Sequence, residues 1–460
     1  EVANSCRCNS GDDPSMTRTL GSDGNTDKFT ISMWVKRGKL GVQGYLCGAS
    51  PGGSNDFHIN FESDDTLRFY QNTGGSVAGK LQTNRKFRDP SAWYHLVFVW
   101  DTGNATAGNR MRMYVNGTEE TSFGTDTNPA EDAEAMWLDA ASPMYVMAYD
   151  TGSSPVHFDG YIAEFVCCDG QAYAASDFGE FSEDSPTIWM PKDVSSLTFG
   201  TNGWYFDFED SSNLGNDANG GTDWSEANLA AADQATDTPT NNFCTMNPLD
   251  NYYQAATFSE GNNTILTDTT AYSANTATQL VTAGKWYWES RYDGRSGSDW
   301  MCGITGAYHN ASTTLGNSAQ DYGYIHTGGV RHNSSTTSTG YDALSSGTGI
   351  LGTYLDLDNS KLYFGVDGVI QNSGTGISLV ALSTLDFGAW SPAFGDGGSG
   401  TATASFNFGN GQFAGTAVSS GNTDANGYGN FEYDPSSGTF DGSSKDFLAL
   451  CTKNLGSDGG

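Results

Sequence analysis

The sequence is poor in positive charge. Its 460 residues include 21 Lys and Arg against 54 Asp and Glu, so the formal net charge is -33 at pH 7. A nucleic-acid-binding protein needs a cationic surface to replace the counterions of the phosphates, and we therefore expect no nucleic-acid partner. The negative charge is typical of proteins that work in salty water, where screening is strong. The alternative is that the negative charge only keeps the molecule in solution.

Other features that the sequence lacks exclude further classes of protein. No run of about 18 apolar residues is present, so we expect no insertion into a membrane. Only 16% of the residues are charged while 13% are aromatic, a composition that excludes a disordered acidic tail. The chain starts with Glu1 instead of Met, and we interpret this as a processed or trimmed N-terminus. The length predicts two or three domains, each with its own core.

The cysteine spacing does not indicate a zinc site. The eight cysteines form no Cys-x-x-Cys pair and the six histidines are scattered. Cys6 and Cys8 would share one face of a strand, whereas Cys167 and Cys168 would face opposite ways. A disulfide between these clusters and a set of small buried thiols both remain open.

Short strand-like segments separated by Gly, Asn, Asp and Ser predict an all-β protein. In the first half, residues 29–36 alternate, with Phe29 and Val35 on the same face, and residues 93–100 are apolar on both faces. In the second half, residues 352–370 predict a three-stranded meander with a core face of Leu362, Phe364 and Val366. Asn116-Gly117 predicts a type I′ hairpin. Residues 130–138 and 225–232 are the two segments for which we expect short helices.

Four motifs of the first half resemble the laminin-G-like (concanavalin A-like) domain. They are Ile-Ser-Met-Trp-Val-Lys-Arg at 31–37, Trp-Tyr-His-Leu at 93–96, Tyr-Val-Asn-Gly at 114–117 and Phe-Asp-Gly-Tyr-Ile-Ala-Glu at 158–164. Motifs of the second half resemble a SPRY domain, and they lie at 284–289, 354–358, 362–364 with 367–368, and 405–409. The resemblance implies two concanavalin-like jelly-roll β-sandwiches in tandem.

The tandem, with the segments 6–10, 236–242 and 450–455, is similar to virion proteins of tailed phages, especially marine ones. That resemblance implies a structural or adsorption protein on the virion surface, with other virion proteins as partners and a homo-oligomeric state. We predict a laminin-G-like domain at 1–185, a connector with aromatic anchors at 186–255, a SPRY-like domain at 256–413 and a docking tail at 414–460.

Candidate ligand-binding residues are tyrosines that we expect in Gly-, Asn- and Ser-rich loops: Tyr149, Tyr308, Tyr322 and Tyr324. Aromatic rings stack on sugar faces while polar neighbours fix the orientation of the sugar. The alternative is that these rings are packed against the protein. A host-surface glycan or receptor is the partner that this hypothesis implies.

A calcium ion is the cofactor that the spacing Asp23-x-Asn25-x-Asp27 suggests. Lys28 stands where a calcium loop has glycine, and no distal Glu follows at the right offset. Laminin-G-like domains often hold calcium at one rim, so the resemblance supports a metal there. An Asx-rich turn is the alternative.

We predict no enzymatic activity. Retaining glycosidases need two carboxyl groups about 5–5.5 Å apart. Asp356-x-Asp358 has a suitable spacing but leads into a turn, where Asp is favoured for backbone bonding. His95 lies in an apolar strand and is interpreted as a core residue.

The working hypothesis is a component of a phage tail fibre or other surface appendage that recognises the host. A capsid decoration or head-fibre protein without receptor binding, and a cell-surface glycan-binding module, are the alternatives. Enzymatic depolymerisation of host polysaccharide ranks last.

Overall fold

The computed structural model describes residues 1–150, 155–250, 255–269 and 272–455. The chain divides into two compact units, Glu1–Thr240 and Asn241–Gly460. The regular secondary structure of both units is almost entirely β-strand, which confirms the predicted fold class. No helix in the described part of the chain is long and apolar enough to cross a membrane.

The described part of the first unit contains strands β1 to β20. In chain order they are Ser5–Cys8, Ser15–Arg18, Lys28–Arg37, Gly44–Gly52, Asn55–Phe61, Thr66–Thr73, Ser76–Lys86, Trp93–Asp101, Met111–Val115, Thr118–Glu119, Phe123–Thr127, Met144–Val146, Ala148–Asp150, Pro155–His157, Gly160–Asp169, Gly179–Phe181, Trp189–Pro191, Trp204–Phe206, Ser225–Ala227 and Gln234–Ala235.

Two large antiparallel sheets form the sandwich of the first unit. Sheet A has the order β10-β9-β8-β3-β15-β1-β20, with β18 also paired to β15, and sheet B has the order β11-β7-β6-β5-β4-β12-β2-β19. Side chains of both sheets meet in one core, for example Phe29 and Met113 from sheet A with Phe57 and Phe69 from sheet B. The alternation in 29–36 is confirmed, because Phe29, Ile31, Met33 and Val35 all enter this core.

Strand β8 is covered on both faces, as its apolar pattern predicts. Leu96, Phe98 and Trp100 point into the sandwich core. Val97 and Val99 lie under a second apolar cluster on the outer face of sheet A, which contains Phe178, Val194 and Phe199.

Much of the predicted connector belongs to the first unit. Trp204, Phe206 and Trp224 are at most 2% exposed and pack in its core, and β18 pairs with β15 in antiparallel register. The structure therefore places residues 186–240 in the first unit and 241–255 in the second.

The two predicted helices are wrong. Residues 130–138 are coil and turns, with Trp137 and Leu138 buried in the core and Leu138 at a φ of 65° that no helix adopts. Residues 225–227 form β19 beside β2, and a 3-10 turn follows at Ala231–Asp233. Core burial and strand pairing override a weak helical preference in both segments.

The described part of the second unit contains strands β21 to β37 and one short helix, α1. The strands are Thr257–Ser259, Thr264–Leu266, Ala274–Thr276, Lys285–Ser296, Trp300–Thr305, Asp321–Ile325, Val330–His332, Ser335–Thr337, Ile350–Asp356, Lys361–Val366, Val369–Ile370, Ile377–Ser378, Ser391–Asp396, Thr401–Asn407, Gln412–Phe413, Thr416–Ala417 and Leu448–Ala449, and α1 is Thr452–Leu455.

Two sheets again enclose a core in the second unit. One has the order β21-β22-β34-β24-β29-β30-β31, with β32 on β30 and β37 on β24, and the other has the order β23-β33-β25-β26-β27-β28. The predicted meander is confirmed as β29, β30 and β31, and Leu362, Phe364 and Val366 lie in the core.

The segment predicted as a docking tail packs on the outer face of β24 and β29. Phe431 contacts Tyr287 with ring centroids 5.0 Å apart, and Phe447 contacts Tyr354 at 5.2 Å. The buried Glu289 accepts the backbone N–H groups of residues 432 and 433 at 3.0 and 2.7 Å. The tail therefore covers a sheet face inside its own unit.

All eight cysteines are buried thiols. Cys6 pairs across the sheet with Ile162 and not with a cysteine of the 167–168 cluster. The structure thus favours small buried thiols over a disulfide. Burial raises the pKa of the Cys168 thiol to about 12, so this thiol stays protonated.

Candidate functional site

An open pocket of about 770 Å³ lies on the outer face of sheet B. Strand β5 alternates, so Phe57 and Ile59 enter the core while Asp56 and His58 face the pocket. The pocket is lined by residues of β4, β5, β12, β13 and their connections: Tyr45, Ser50, Pro51, Gly52, Gly53, Ser54, Asn55, Asp56, His58, Ala141, Pro143, Tyr145, Tyr149 and Asp150.

Four aromatic rings pack together at this pocket. Tyr45 lies 5.2 Å from both His58 and Tyr149, measured between ring centroids. His58 lies 5.4 Å from Tyr149 and stacks on Tyr70 at 4.7 Å. The site therefore has a rigid aromatic wall with hydroxyl and ring-nitrogen groups, which suits an amphipathic ligand.

Gly48 permits this arrangement. A Cβ atom at this position would lie 2.4 Å from the ring of Tyr149. Any side chain would therefore displace Tyr149 from β4, and the glycine is needed for the close approach of the ring to the sheet.

Asp56 and His58 form the polar centre of the wall. Their Oδ2 and Nδ1 atoms are 3.1 Å apart. Burial lowers the pKa of His58 although Asp56 opposes this, so the ring is neutral at neutral pH. Burial is the largest single effect on Asp56 and acts against its ionisation, but His58, Asn72 and Arg68 together outweigh burial and lower the pKa of this carboxyl. The pair is thus a neutral imidazole beside a carboxylate.

Among the predicted tyrosines, Tyr149 lies in this pocket. It is only 6% exposed, because its ring packs against Tyr45, His58 and the backbone at Gly48. It belongs to the short strand β13 instead of a loop.

Tyr322 and Tyr324 are not loop residues. Both lie in β26, are at most 1% exposed and belong to the core of the second unit. Their hydroxyl groups donate to the backbone oxygens of Ser378 and Asp342 at 3.1 and 2.6 Å. The expectation of surface-exposed rings is wrong here, because Asp-Tyr-Gly-Tyr-Ile alternates as a buried strand.

Tyr308 is 63% exposed and borders a separate pocket of about 540 Å³ in the second unit. Its ring packs edge-on against Phe387 at 4.8 Å. The polar groups nearby are engaged within the protein, since Asp250 accepts from Thr276 and His309 lies 3.1 Å from Asp321. The structure therefore distributes the four predicted tyrosines over three places and does not bring them together.

The candidate calcium ligands lie in a loop that hydrogen-bonds to itself and to its neighbours. Asp23 Oδ1 accepts the N–H of Ala140 at 2.9 Å, and Asn25 Oδ1 accepts that of Asp27 at 3.1 Å. Asn25 thus forms an Asx turn, and Asp23 is bound to the backbone of a distant segment. Over the described residues, no three His, Cys, Asp or Glu side chains are grouped for a metal ion. Calcium at these positions stays a prediction from the spacing.

One pair of residues has the spacing of a nucleophile and its base. Ser32 Oγ lies 2.9 Å from His95 Nε2. However, the indole N–H of Trp189 can only donate a hydrogen bond, and it donates one to His95 Nδ1 at 3.0 Å. Because burial lowers the pKa of His95 to about 3, the ring is neutral and its one proton is on Nε2. His95 therefore donates to Ser32 and cannot deprotonate it, which confirms its interpretation as a core residue.

Asp356 likewise has a structural role. It is fully buried, and it accepts the backbone N–H and the side-chain amide of Asn359 at 2.9 and 2.8 Å. Asp358 accepts the N–H of Gly284 at 3.0 Å. The turn interpretation of this carboxylate pair is confirmed.

Comparison with known families places the larger pocket in a recognised domain type. Residues 9–171 match the concanavalin A-like lectin/glucanases superfamily. This range contains all residues that line the pocket on sheet B. The first unit therefore carries a concanavalin-like domain of the lectin and glucanase type, as its motifs indicate. No curated protein matches the sequence.

Three solved structures are similar to parts of the chain. The SPRY domain of human HERC1 is 14% identical, with a TM-score of 0.28, over 35% of this chain and 96% of that one. The TRIM65 PSpry domain is 17% identical, with a TM-score of 0.28, over 36% and 92%. A heptameric SAP-like pentraxin from Limulus polyphemus is 16% identical, with a TM-score of 0.27, over 35% and 71%.

Sequence reasoning missed Tyr45, Asp56, His58 and Tyr70. A usable signal was present, because β5 reads Asp-Phe-His-Ile-Asn-Phe, with a polar residue at every second position. Such alternation identifies the outer face of a strand. It does not reveal that a ring from β13 lies beside that face.

Proposed function

We propose that the protein recognises surfaces by binding carbohydrate in the pocket on sheet B, without changing its ligand chemically. The observation that carries this proposal is the combination of the aromatic wall of Tyr45, His58 and Tyr149 with the carboxylate of Asp56 in one open pocket. Sugar-binding sites combine these two features, because apolar C–H faces pack on rings and hydroxyl groups donate to fixed acceptors.

We further propose that the molecule acts at the surface of a tailed-phage particle, as part of a tail fibre or other appendage that meets the host. The resemblance of the tandem, with the segments 6–10, 236–242 and 450–455, to virion proteins of tailed phages supports this setting. Other virion proteins and further copies of the same chain are the proposed partners. Repetition on a particle would convert weak single contacts into strong attachment through avidity.

The binding proposal is tested with the full chain on a glycan array and on intact host cells. We expect the wild type to bind and Tyr149→Ala to bind at least about tenfold more weakly, as expected when an aromatic anchor is removed from a binding site. Tyr173→Ala is the matched control, because Tyr173 is a half-buried ring outside the pocket that packs on Phe178. Equal binding by Tyr149→Ala and wild type would contradict the proposal.

If the wild type binds no glycan and no host cell, the result would favour the capsid-decoration alternative. The location on the particle is tested separately by imaging intact virions with an antibody against this chain. Label on the tail supports the appendage, and label on the head supports decoration. Label on a microbial cell wall without any particle supports the cell-surface module.

Absence of catalysis is tested by incubating the protein with host polysaccharide and measuring new reducing ends. We expect none above a boiled-protein control. Release that disappears in Asp356→Asn would overturn the non-enzymatic proposal.

A further inference from the structure

The pocket on sheet B is acidic. Two carboxylate side chains, Asp56 and Asp150, are among its lining residues. No Lys or Arg occurs among the lining residues that the structure describes. The pocket therefore presents negative charge on a molecule whose formal charge is already -33.

Arg68 acts electrostatically on Asp56, but it is itself paired with other groups. Arg68 Nε lies 2.6 Å from Glu62 Oε1 and 3.1 Å from Asn60 Oδ1. Its guanidinium group lies over the ring of Tyr70, 5.2 Å from the centroid. His58 adds no charge, because burial lowers its pKa. The charge of Asp56 is thus not neutralised by a cation within the pocket wall.

The wall also has a spare acceptor. His58 is 4% exposed, and neither Nδ1 nor Nε2 of its ring has a hydrogen bond of good geometry among the described residues. When Nδ1 carries the proton towards Asp56, 3.1 Å away, Nε2 is an acceptor. An acceptor buried without a partner is costly, and a donor on a ligand would satisfy it.

We propose that this pocket selects carbohydrate that carries a protonated amine, that is, an amino sugar whose nitrogen is not acylated. This inference rests on the proposed function. The ammonium group pairs with Asp56, the remaining N–H and O–H donors reach the acceptors of the wall, and the sugar ring packs on Tyr45 and Tyr149. An ammonium over aromatic rings gains a further cation–π contribution. Uronates and sulfated sugars are rejected by charge.

The experiment measures binding of the full chain to four oligosaccharides of equal length by titration calorimetry at pH 6, where a primary amine is protonated. They are built from glucosamine, N-acetylglucosamine, glucose and glucuronate. We expect the glucosamine oligomer to bind about tenfold more tightly than its N-acetylated form, and glucuronate to show no binding. Raising the salt concentration from 0.05 to 0.5 M should weaken only glucosamine binding.

The variant Asp56→Asn tests whether the Asp56 carboxylate pairs with the ammonium group. It should reduce the preference for glucosamine over N-acetylglucosamine to about onefold. Asp126→Asn is the matched control, since this exposed carboxylate lies on β11 at the far edge of sheet B. The salt series on the wild type needs no variant, so the inference is tested even when Asp56→Asn folds poorly.

The outcomes separate the two proposals. Binding of glucose or N-acetylglucosamine oligomers without an amine preference overturns this inference and leaves the recognition function in place. Glucuronate binding as tight as glucosamine binding also overturns it. Binding of none of the four contradicts carbohydrate recognition in this pocket and the inference with it.

Discussion

At the scale of single residues, Glu164 is a partly buried carboxyl group whose pKa is raised in the folded protein. It lies at the irregularity between Ala163 and Val166 in β15 and has a φ of 49°, which is rare for a residue other than glycine. Burial raises its pKa to about 7, Tyr205 opposes the shift by donating to Oε2 at 2.7 Å, and Asp207 and Glu209 add to it. The folded protein therefore holds a proton here that the unfolded chain would release.

The sign of the resulting pH dependence follows from the raised pKa. Between pH 4.5, the ordinary value, and about 7, the folded state binds more protons at this site than the unfolded state. Glu164 thus makes the free energy of unfolding fall as the pH rises through this range. We expect Glu164→Gln to be more stable relative to wild type at pH 8 than at pH 5, by about 1 to 3 kcal/mol.

Urea denaturation at both pH values measures this difference. The exposed Glu180→Gln is the control and should show no such change, because its carboxyl is in water. A Glu164→Gln variant whose stability relative to wild type is the same at pH 5 and pH 8 would show that the buried proton is not held there.

At the scale of elements, the β9–β10 hairpin shows how a local signal acquires a distant partner. Asn116 and Gly117 have φ angles of 48° and 77°, so the predicted type I′ turn is confirmed. A Cβ atom at Gly117 would lie 2.4 Å from the ring of Trp189. Gly117 is therefore needed both for the positive φ of the turn and for the close approach of the Trp189 ring.

We expect Gly117→Ala to cost more stability than the turn strain alone explains. Gly74→Ala is the matched control, because Gly74 also has a positive φ, of 58°, but nothing lies within 4 Å of its Cβ position. The control should lose about 1 kcal/mol, and Gly117→Ala about 2 to 3 kcal/mol because it must also displace Trp189. Equal losses in chemical denaturation would mean that Trp189 moves freely.

At the scale of the whole molecule, each unit has a core of its own. The division falls between Thr240 and Asn241. Residues 186–240 contribute Trp204, Phe206 and Trp224 to the first core. Burial of each of these side chains contributes about 2 to 3 kcal/mol, and the three together are comparable with the whole stability of a domain, about 5 to 15 kcal/mol.

We therefore expect a fragment of residues 1–240 to fold and a fragment of residues 1–185 to fail. The measurement is a cooperative thermal transition by circular dichroism together with dispersed amide signals in NMR. The two fragments are matched in every respect except the predicted connector. A cooperative transition of the 1–185 fragment would show that the connector is dispensable for the first core.

Strand identity was largely predictable, because the alternation of Phe29 to Val35 and of Leu362 to Val366 is a local property of the chain. The two predicted helices were wrong because Leu138 and strand β19 are held by distant partners. Tyr322 and Tyr324 were expected in loops because the sequence around them is rich in glycine. The strand that contains them is defined by its pairing with β25, which is distant information of the same kind.

The sequence by itself determined the all-β class, the hairpin turns and the acidic character of the molecule, because periodicity, turn residues and charge are all carried by short stretches of chain. Only the tertiary structure decided that Tyr149 lies beside Tyr45 and His58, and that Trp204 completes a core begun by Phe29. These contacts join residues far apart in sequence, and sheet pairing, which no local pattern encodes, is what brings them together.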